Sequence, residues 1–238
     1  MRETRFSPVA LRLFELFLRR WERRSLEAVR VTGLPRDLPP NVPLVLAANH
    51  VSMWDAFTLR HVQRLLRPDA PLYTLSSERE LERFGFFRRL GAYGVDPADA
   101  GSVLRAVRFT AARAEAQRDA VFSFFPQGRI WPSHRRPLGF QRGIELFTRR
   151  MRAGLVLPLA IHHEPLNHAR PTVFVSAGPV LAMGSRGIGA AEVERAVSAE
   201  SDRLLAFVAR WGEEAPQAWP APFGRLDRPR VRGVQVAR

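Results

Sequence analysis

The chain has 238 residues, a formal net charge of +14 and no cysteine, and all 37 of its basic residues are arginine. The missing cysteine excludes disulfides, thiolate nucleophiles and cysteine-ligated zinc. The length suits one domain with a substantial core, and the basic balance favours anionic partners: lipid headgroups, nucleic acid, acidic carriers or phosphorylated cofactors.

The pattern from Pro8 to Arg30 predicts a helix with Val9, Leu13, Leu16, Phe17 and Trp21 near one face and Arg12, Arg19, Arg20, Arg23 and Arg24 around it. Two readings fit. The helix either lies in a membrane interface with its apolar side in lipid, or packs that side into the core with solvated arginines outside. No apolar run reaches the ~18 residues of a membrane span, and the N-terminus lacks the apolar core and small-residue cleavage site of a secretory signal.

Gly33 to Pro43 is a proline-rich turn region. Beyond it, apolar runs at Val42–Ala48, Leu72–Ser76, Gly91–Val95, Ala120–Phe125, Leu155–Ile161 and Thr172–Ala177 predict strands. Helices are predicted around Trp54–Leu66, Gly101–Gln117, Phe140–Met151 and Ala190–Trp211. Near-continuous apolar strands alternating with helices imply an α/β domain: a mixed, largely parallel sheet covered by helices, preceded by the N-terminal amphipathic helix. The predicted division is a helical segment over 1–32, a domain over 33–211 and a loosely ordered Pro/Arg-rich tail over 212–238.

The most informative stretch is Asn49-His50-Val51-Ser52-Met53-Trp54-Asp55, directly after the buried run Val42–Ala48. It places an imidazole and a carboxylate where a strand ends, the edge at which α/β sheets carry reactive groups. On a regular helix the two would not share a face, so a turn entering a helix is needed to bring Asp55 back to His50. Such a pair suits general-base chemistry: an imidazole takes a proton from an alcohol, and a carboxylate fixes its tautomer. A structural histidine beside a helix-capping aspartate would show the same spacing. A second block, Phe125-Pro126-Gln127-Gly128-Arg129, ends another apolar run, and Arg129, Arg135, Arg136 and Arg142 follow it. Backbone N–H groups in such a loop suit a phosphate or an oxyanion.

In order, these blocks resemble the glycerolipid acyltransferases of the lysophosphatidic-acid type. Asn49-His50-Val51-Ser52-Met53-Trp54-Asp55 matches their N-H-x-S-x-x-D signature, and Phe125-Pro126-Gln127-Gly128 resembles F-P-E-G. Phe140-Gln141-Arg142-Gly143 resembles F-K-x-G, and Leu157-Pro158-Leu159-Ala160 resembles the later V-P-V block. Glu80-Leu81, Phe84-Gly85, Leu90-Gly91 and Val95-Asp96 match the region between the first two blocks. The resemblance covers about Val42 to Ile161.

The resemblance implies an O-acyltransferase with His50 as general base and Asp55 supporting it. Gln127, Gly128, Arg129 and Arg142 are then expected at the acceptor or the oxyanion, and Asn49, Ser52, Phe125 and Pro126 as supporting residues. The acyl donor is expected to be acyl-CoA or an acyl carrier protein, with no further cofactor. Membrane lipids are the expected partners, at the cytoplasmic side of the cell membrane. The chain departs from the family at three positions: Gln127 stands for the family Glu, and Pro97 and Ile130 stand where arginines are usual. Those positions are linked to the acceptor's phosphate, so the acceptor is either a lysophospholipid held by neighbouring arginines or a neutral glycosylated or hydroxylated lipid. The same departures also suit a membrane-associated, lipid-binding relative that kept the fold and lost acyl transfer, against which the intact His50 and Asp55 stand.

Other chemistry is less supported. His162, His163 and His168 come with Glu164 but no paired-carboxylate motif, so no metal is expected. Neither a G-x-S-x-G elbow nor a phosphate-loop motif occurs, and no nucleic-acid recognition motif accompanies the charge. Phe84, Phe86 and Phe87 are expected in the core rather than along an acyl groove.

Overall fold

A computed structural model describes residues 1–220. One eight-stranded sheet runs through it, flanked by helices. The strands are β1 (Ala28–Thr32), β2 (Leu44–Ala48), β3 (Leu72–Ser77), β4 (Ala92–Val95), β5 (Val121–Phe124), β6 (Leu155–Glu164), β7 (Thr172–Ala177) and β8 (Leu181–Ala182). Their order is β1-β7-β6-β2-β5-β3-β4, with β8 pairing β6. From β6 to β4 every neighbouring pair is parallel, while β7 runs antiparallel to β6. The carboxyl ends of β2, β5, β6, β3 and β4 therefore share one edge.

The sheet is covered on both faces, which is why its central strands read as unbroken apolar runs. Leu44, Leu46 and Ala48 of β2 face Leu59 and Val62 of α2 (Asp55–Leu66). Val45 and Ala47 face the opposite layer, built from α4 (Ala100–Ala116), α5 (Gly143–Met151) and α6 (Ala190–Trp211). Phe109, Phe147 and Val193 supply those helices' buried contacts.

The N-terminal helix α1 (Pro8–Ser25) starts at Ser7, whose hydroxyl caps the Ala10 amide, with Pro8 in the first turn. It stops earlier than its pattern suggests. Residues 28–32, expected to belong to the helical segment, form β1 and pair in parallel with β7. The β-branched Val29, Val31 and Thr32 favour that outcome, and Val29 and Val31 are buried in the sheet core. The boundary drawn at residue 32 therefore cuts a strand off its own sheet.

Two further departures concern short elements. α3 (Glu78–Arg83) and a 3-10 turn at Gly85–Leu90 fill a stretch for which no helix was expected. Residues 212–219, expected to be loose tail, include α7 (Ala215–Ala218), and Trp219 packs its ring against Phe174 and Phe207. The rest of the expected tail, 221–238, lies outside the described residues. No helix among the described residues is long and apolar enough to cross a membrane.

Candidate active site

The site is built at the carboxyl edge of the parallel strands. β2 ends at Ala48, and Asn49 then doubles its amide onto β6: Nδ2 donates to the Ile161 carbonyl at 2.9 Å and Oδ1 accepts the Ile161 N–H at 2.7 Å. This side chain mimics one more rung of the β2–β6 ladder and locks the two strands in register. His50 follows as the chain leaves the sheet.

The turn Val51 to Trp54 then reverses into α2, whose first residue is Asp55. Asp55 is fully buried and folds back over the turn. Its Oδ2 accepts His50 Nδ1–H at 2.8 Å, Val51 N–H at 2.6 Å and Ser52 N–H at 2.8 Å. Oδ1 lies 3.0 Å from Nε2 of His163, the penultimate residue of strand β6. The turn thus does what the spacing alone left open. Burial by itself would push the Asp55 carboxyl up, but the hydrogen bonds and positive potential of His163 and His50 together outweigh it and hold Asp55 below the usual carboxylate range. The carboxyl also sits at the start of a helix, where the macrodipole favours the anion.

An ionised carboxylate only accepts, so the proton shared with His50 resides on Nδ1. The neutral imidazole then has a bare Nε2 lone pair. The ring is one-fifth exposed and stacks on Phe125 with centroids 4.3 Å apart. Ser52 Oγ accepts the Trp54 amide, which tightens the same turn.

In the second block, Gln127 and the Gly128 N–H are engaged within the protein. Gln127 was expected to face the acceptor or the oxyanion, yet it is buried with both ends of its amide spent on backbone. Oε1 accepts the His50 N–H at 2.7 Å, and Nε2 donates to the Leu138 carbonyl at 2.9 Å. Gly128 has φ near +71°, and a Cβ there would meet Gln141 Nε2 at 2.7 Å. Its own N–H closes a turn onto the Phe125 carbonyl, which removes it as an oxyanion donor. Pro126 is buried, and its carbonyl accepts the Gln141 N–H. Gln127 thus braces the His50 turn through its backbone.

Charge beside the His50 turn comes from the next residues. Trp131 N–H donates to the His50 carbonyl at 2.8 Å, so its loop abuts the His50 turn. The guanidinium carbons of Arg129 and Arg135 lie 4.2 Å and 3.4 Å from the centroid of the Trp131 ring. Arg129 is exposed, and Arg142 is exposed with one contact, to Glu145. Arg136 is instead a strut, bonded to Ser201, Asp202 and two backbone carbonyls. Pro97 and Ile130, at two of the family's arginine positions, are both exposed.

His162 and His163 do not act as a pair. His162 bonds Ser133 and Glu164, and burial holds its imidazole below the ordinary histidine range. Among the described residues no three His, Asp or Glu side chains are grouped as a metal would require. Phe84 and Phe86, expected in the core, are 45% and 44% exposed, while Phe87 packs on Phe57.

Comparison with known proteins agrees with this architecture. No curated protein matches the chain. The family model described as Acyltransferase matches residues 28–162, from the first strand of the sheet to the strand carrying His163. That span takes in more than half of the chain and every residue of the His50–Asp55 turn, and the chain belongs to the Acyltransferase family.

Proposed function

We propose that the protein moves a fatty acyl chain from a thioester, acyl-CoA or acyl carrier protein, to a lipid hydroxyl at a membrane surface, with His50 as general base. The observation that carries this reading is the His50 Nδ1–Asp55 Oδ2 hydrogen bond on a buried, ionised carboxylate. It fixes the tautomer whose Nε2 accepts a proton. The acceptor O–H gives its proton to Nε2 as its oxygen bonds to the thioester carbonyl carbon. The C–S bond then breaks and the proton leaves with the thiolate. No acyl-enzyme is needed, so the absence of cysteine is no obstacle.

The acceptor we favour is an anionic lysophospholipid such as lysophosphatidic acid. Arg129 and Arg135, both on the Trp131 ring beside the His50 turn, supply the charge that Pro97 and Ile130 do not. Arginine forks suit phosphate. A neutral lipid acceptor is the second reading, motivated by the exposed Pro97 and Ile130.

Membrane contact fits the outer face of α1. Val9, Leu13, Leu16 and Phe17 stand 67%, 63%, 64% and 57% exposed, beside exposed Phe6, Phe84 and Phe86. Arg12, Arg20, Arg23 and Arg24 flank them. An apolar stripe bordered by arginines suits the anionic cytoplasmic leaflet. From it an aromatic seam, Phe17–Trp21–Trp54, runs to the residue before Asp55.

The test is thiol release from long-chain acyl-CoA and acyl carrier protein by wild type and His50→Ala, with lysophosphatidic acid, glycerol 3-phosphate and a neutral glycolipid as acceptors. Wild type is expected to acylate the lysophosphatidic acid, and His50→Ala to lose roughly 10²–10⁴ in rate. Equal turnover by a folded His50→Ala would refute the base. Turnover of the glycolipid alone would replace the anionic acceptor with the neutral one.

A further inference from the structure

Asp55 carries one more imidazole than general-base chemistry requires. Three donors converge on Oδ2, and His163 Nε2 alone supplies Oδ1 at 3.0 Å. Because the carboxylate only accepts, His163 Nε2 bears a hydrogen whether the ring is neutral or charged. The carboxyl is fully buried, so bulk water does not serve Oδ1 in its place. Two residues before His163, Ile161 is clamped to Asn49 by both amide atoms, and Asn49 is the residue before His50. The two imidazoles that meet on Asp55 therefore stand, one on β6 and one just past the end of β2, where the register of these adjacent strands is locked.

We propose that His163 is a positioning residue for the His50–Asp55 pair: it occupies Asp55 Oδ1 and so keeps Oδ2 aimed at His50 Nδ1. This rests on the reading of His50 as the base. The titratable groups around the pair are His50 from the β2 turn, Asp55 from α2, His162 and Glu164 from β6, and His134 from the adjoining loop. Of these, only His50 and His163 are bonded to Asp55. His162 is turned to Ser133 and Glu164 instead. Without the His163 donor, a buried carboxylate oxygen is left unmatched. It finds relief by taking a proton or by rotating, and either removes the acceptor that fixes the His50 tautomer.

The experiment compares wild type, His163→Ala, His163→Gln and His50→Ala, each checked for folding by circular dichroism. Gln places an amide N–H near the Nε2 position without a titratable ring. Turnover is read with long-chain acyl-CoA and lysophosphatidic acid. Imidazole spectra of ¹⁵N-histidine-labelled protein read the His50 Nδ1–H directly. His163→Ala is expected to lower kcat roughly 10- to 100-fold, the scale for removing a partner that orients a functional histidine. KM should stay within about two-fold, since the contact acts on the reacting group and not on substrate binding. The slowly exchanging His50 Nδ1–H resonance should vanish in His163→Ala, and His163→Gln should restore both resonance and rate. A folded His163→Ala with an unchanged resonance overturns the proposal, as does a folded His163→Gln that lacks the resonance as His163→Ala does. If His50→Ala keeps its turnover, the base assignment fails by itself, and the resonance still decides the role of His163.

Discussion

Gln127 holds His50 by its backbone and not by its ring. Its Oε1 accepts the His50 N–H at 2.7 Å while Nε2 donates to the Leu138 carbonyl at 2.9 Å. One buried amide thus ties the turn carrying the base to the loop after the second motif. It does so with an acceptor at one end and a donor at the other. That pairing gives a physical reason for the departure from the family glutamate: an ionised carboxylate would still accept from His50 but would face the Leu138 carbonyl lone pairs.

Gln127→Glu is accordingly expected to destabilise the protein by about 1–3 kcal/mol near neutral pH, the cost of leaving a buried acceptor without its donor. The sign with pH follows from the introduced acid. Protonated, it donates to Leu138; burial and the carbonyl raise its folded pKa, so its contribution is present at low pH and lost as pH rises. Urea unfolding of the variant at several pH values checks both points. A variant as stable as wild type at neutral pH would show that the Leu138 contact contributes nothing.

Asp55→Asn tests the electrostatics of the pair. Asn has one acceptor oxygen where Asp55 serves four donors, and its NH2 group must face some of them. If the NH2 turns to His50, Nδ1 becomes the acceptor and the proton moves to Nε2, removing the base. The same replacement in serine-protease triads lowers kcat by about 10⁴, and a loss of that order is expected here. The stability readout has a defined sign. The Asp55 carboxyl is held below its ordinary value, so its contribution is complete above the unfolded value of 3.8 and is lost as pH falls through the lower folded value. Wild type should lose unfolding free energy below about pH 4 in a step that Asp55→Asn lacks. Superimposable acid-unfolding curves for the two proteins would contradict it.

The parts of the fold that were legible are those whose burial is two-sided. β2, β5 and β7 are buried at every position, and their apolar runs predicted them within a residue or two. β1 was hidden because Ala28–Thr32 follows α1 without a Gly or Pro break and contains Arg30. α3 was hidden because Glu-Arg-Glu-Leu-Glu-Arg buries a single residue, Leu81, and so shows no periodicity. The site divides the same way. His50 and Asp55 are local in sequence, so a short motif revealed them. His163 reaches Asp55 only through the pairing of β6 with β2, which no spacing encodes. The one usable signal was a polar His-His-Glu end on an otherwise apolar strand, which was weighed as a metal ligand set. α1 has an inward and an outward apolar side, and the sequence pattern did not separate them. Phe14, Leu18 and Trp21 pack inward, while the stripe from Val9 to Phe17 faces out.

The inward contacts of α1 decide how the proposed membrane contact must be tested. Removing α1 would strip more than an anchor. The Trp21 and Trp54 ring centroids lie 4.4 Å apart in a tilted contact, Glu22 meets His61 at 2.8 Å, and Glu15 meets Arg60 at 2.7 Å, so a deletion disturbs the helix that begins at Asp55. Substitutions confined to the outer face separate binding from folding. Burying one leucine side chain is worth about 1.5–3 kcal/mol, so Leu13→Glu with Leu16→Glu is expected to weaken binding to phosphatidylglycerol-containing vesicles at least about 100-fold. Unfolding stability should change by no more than about 0.5 kcal/mol, as for other exposed positions. Binding by wild type should also fall as salt rises, because the flanking arginines act through screened attraction to the anionic surface. Cosedimentation reads both effects. Full binding by a folded double variant would assign the outer face of α1 no part in the membrane contact and leave its exposed apolar stripe to some other partner.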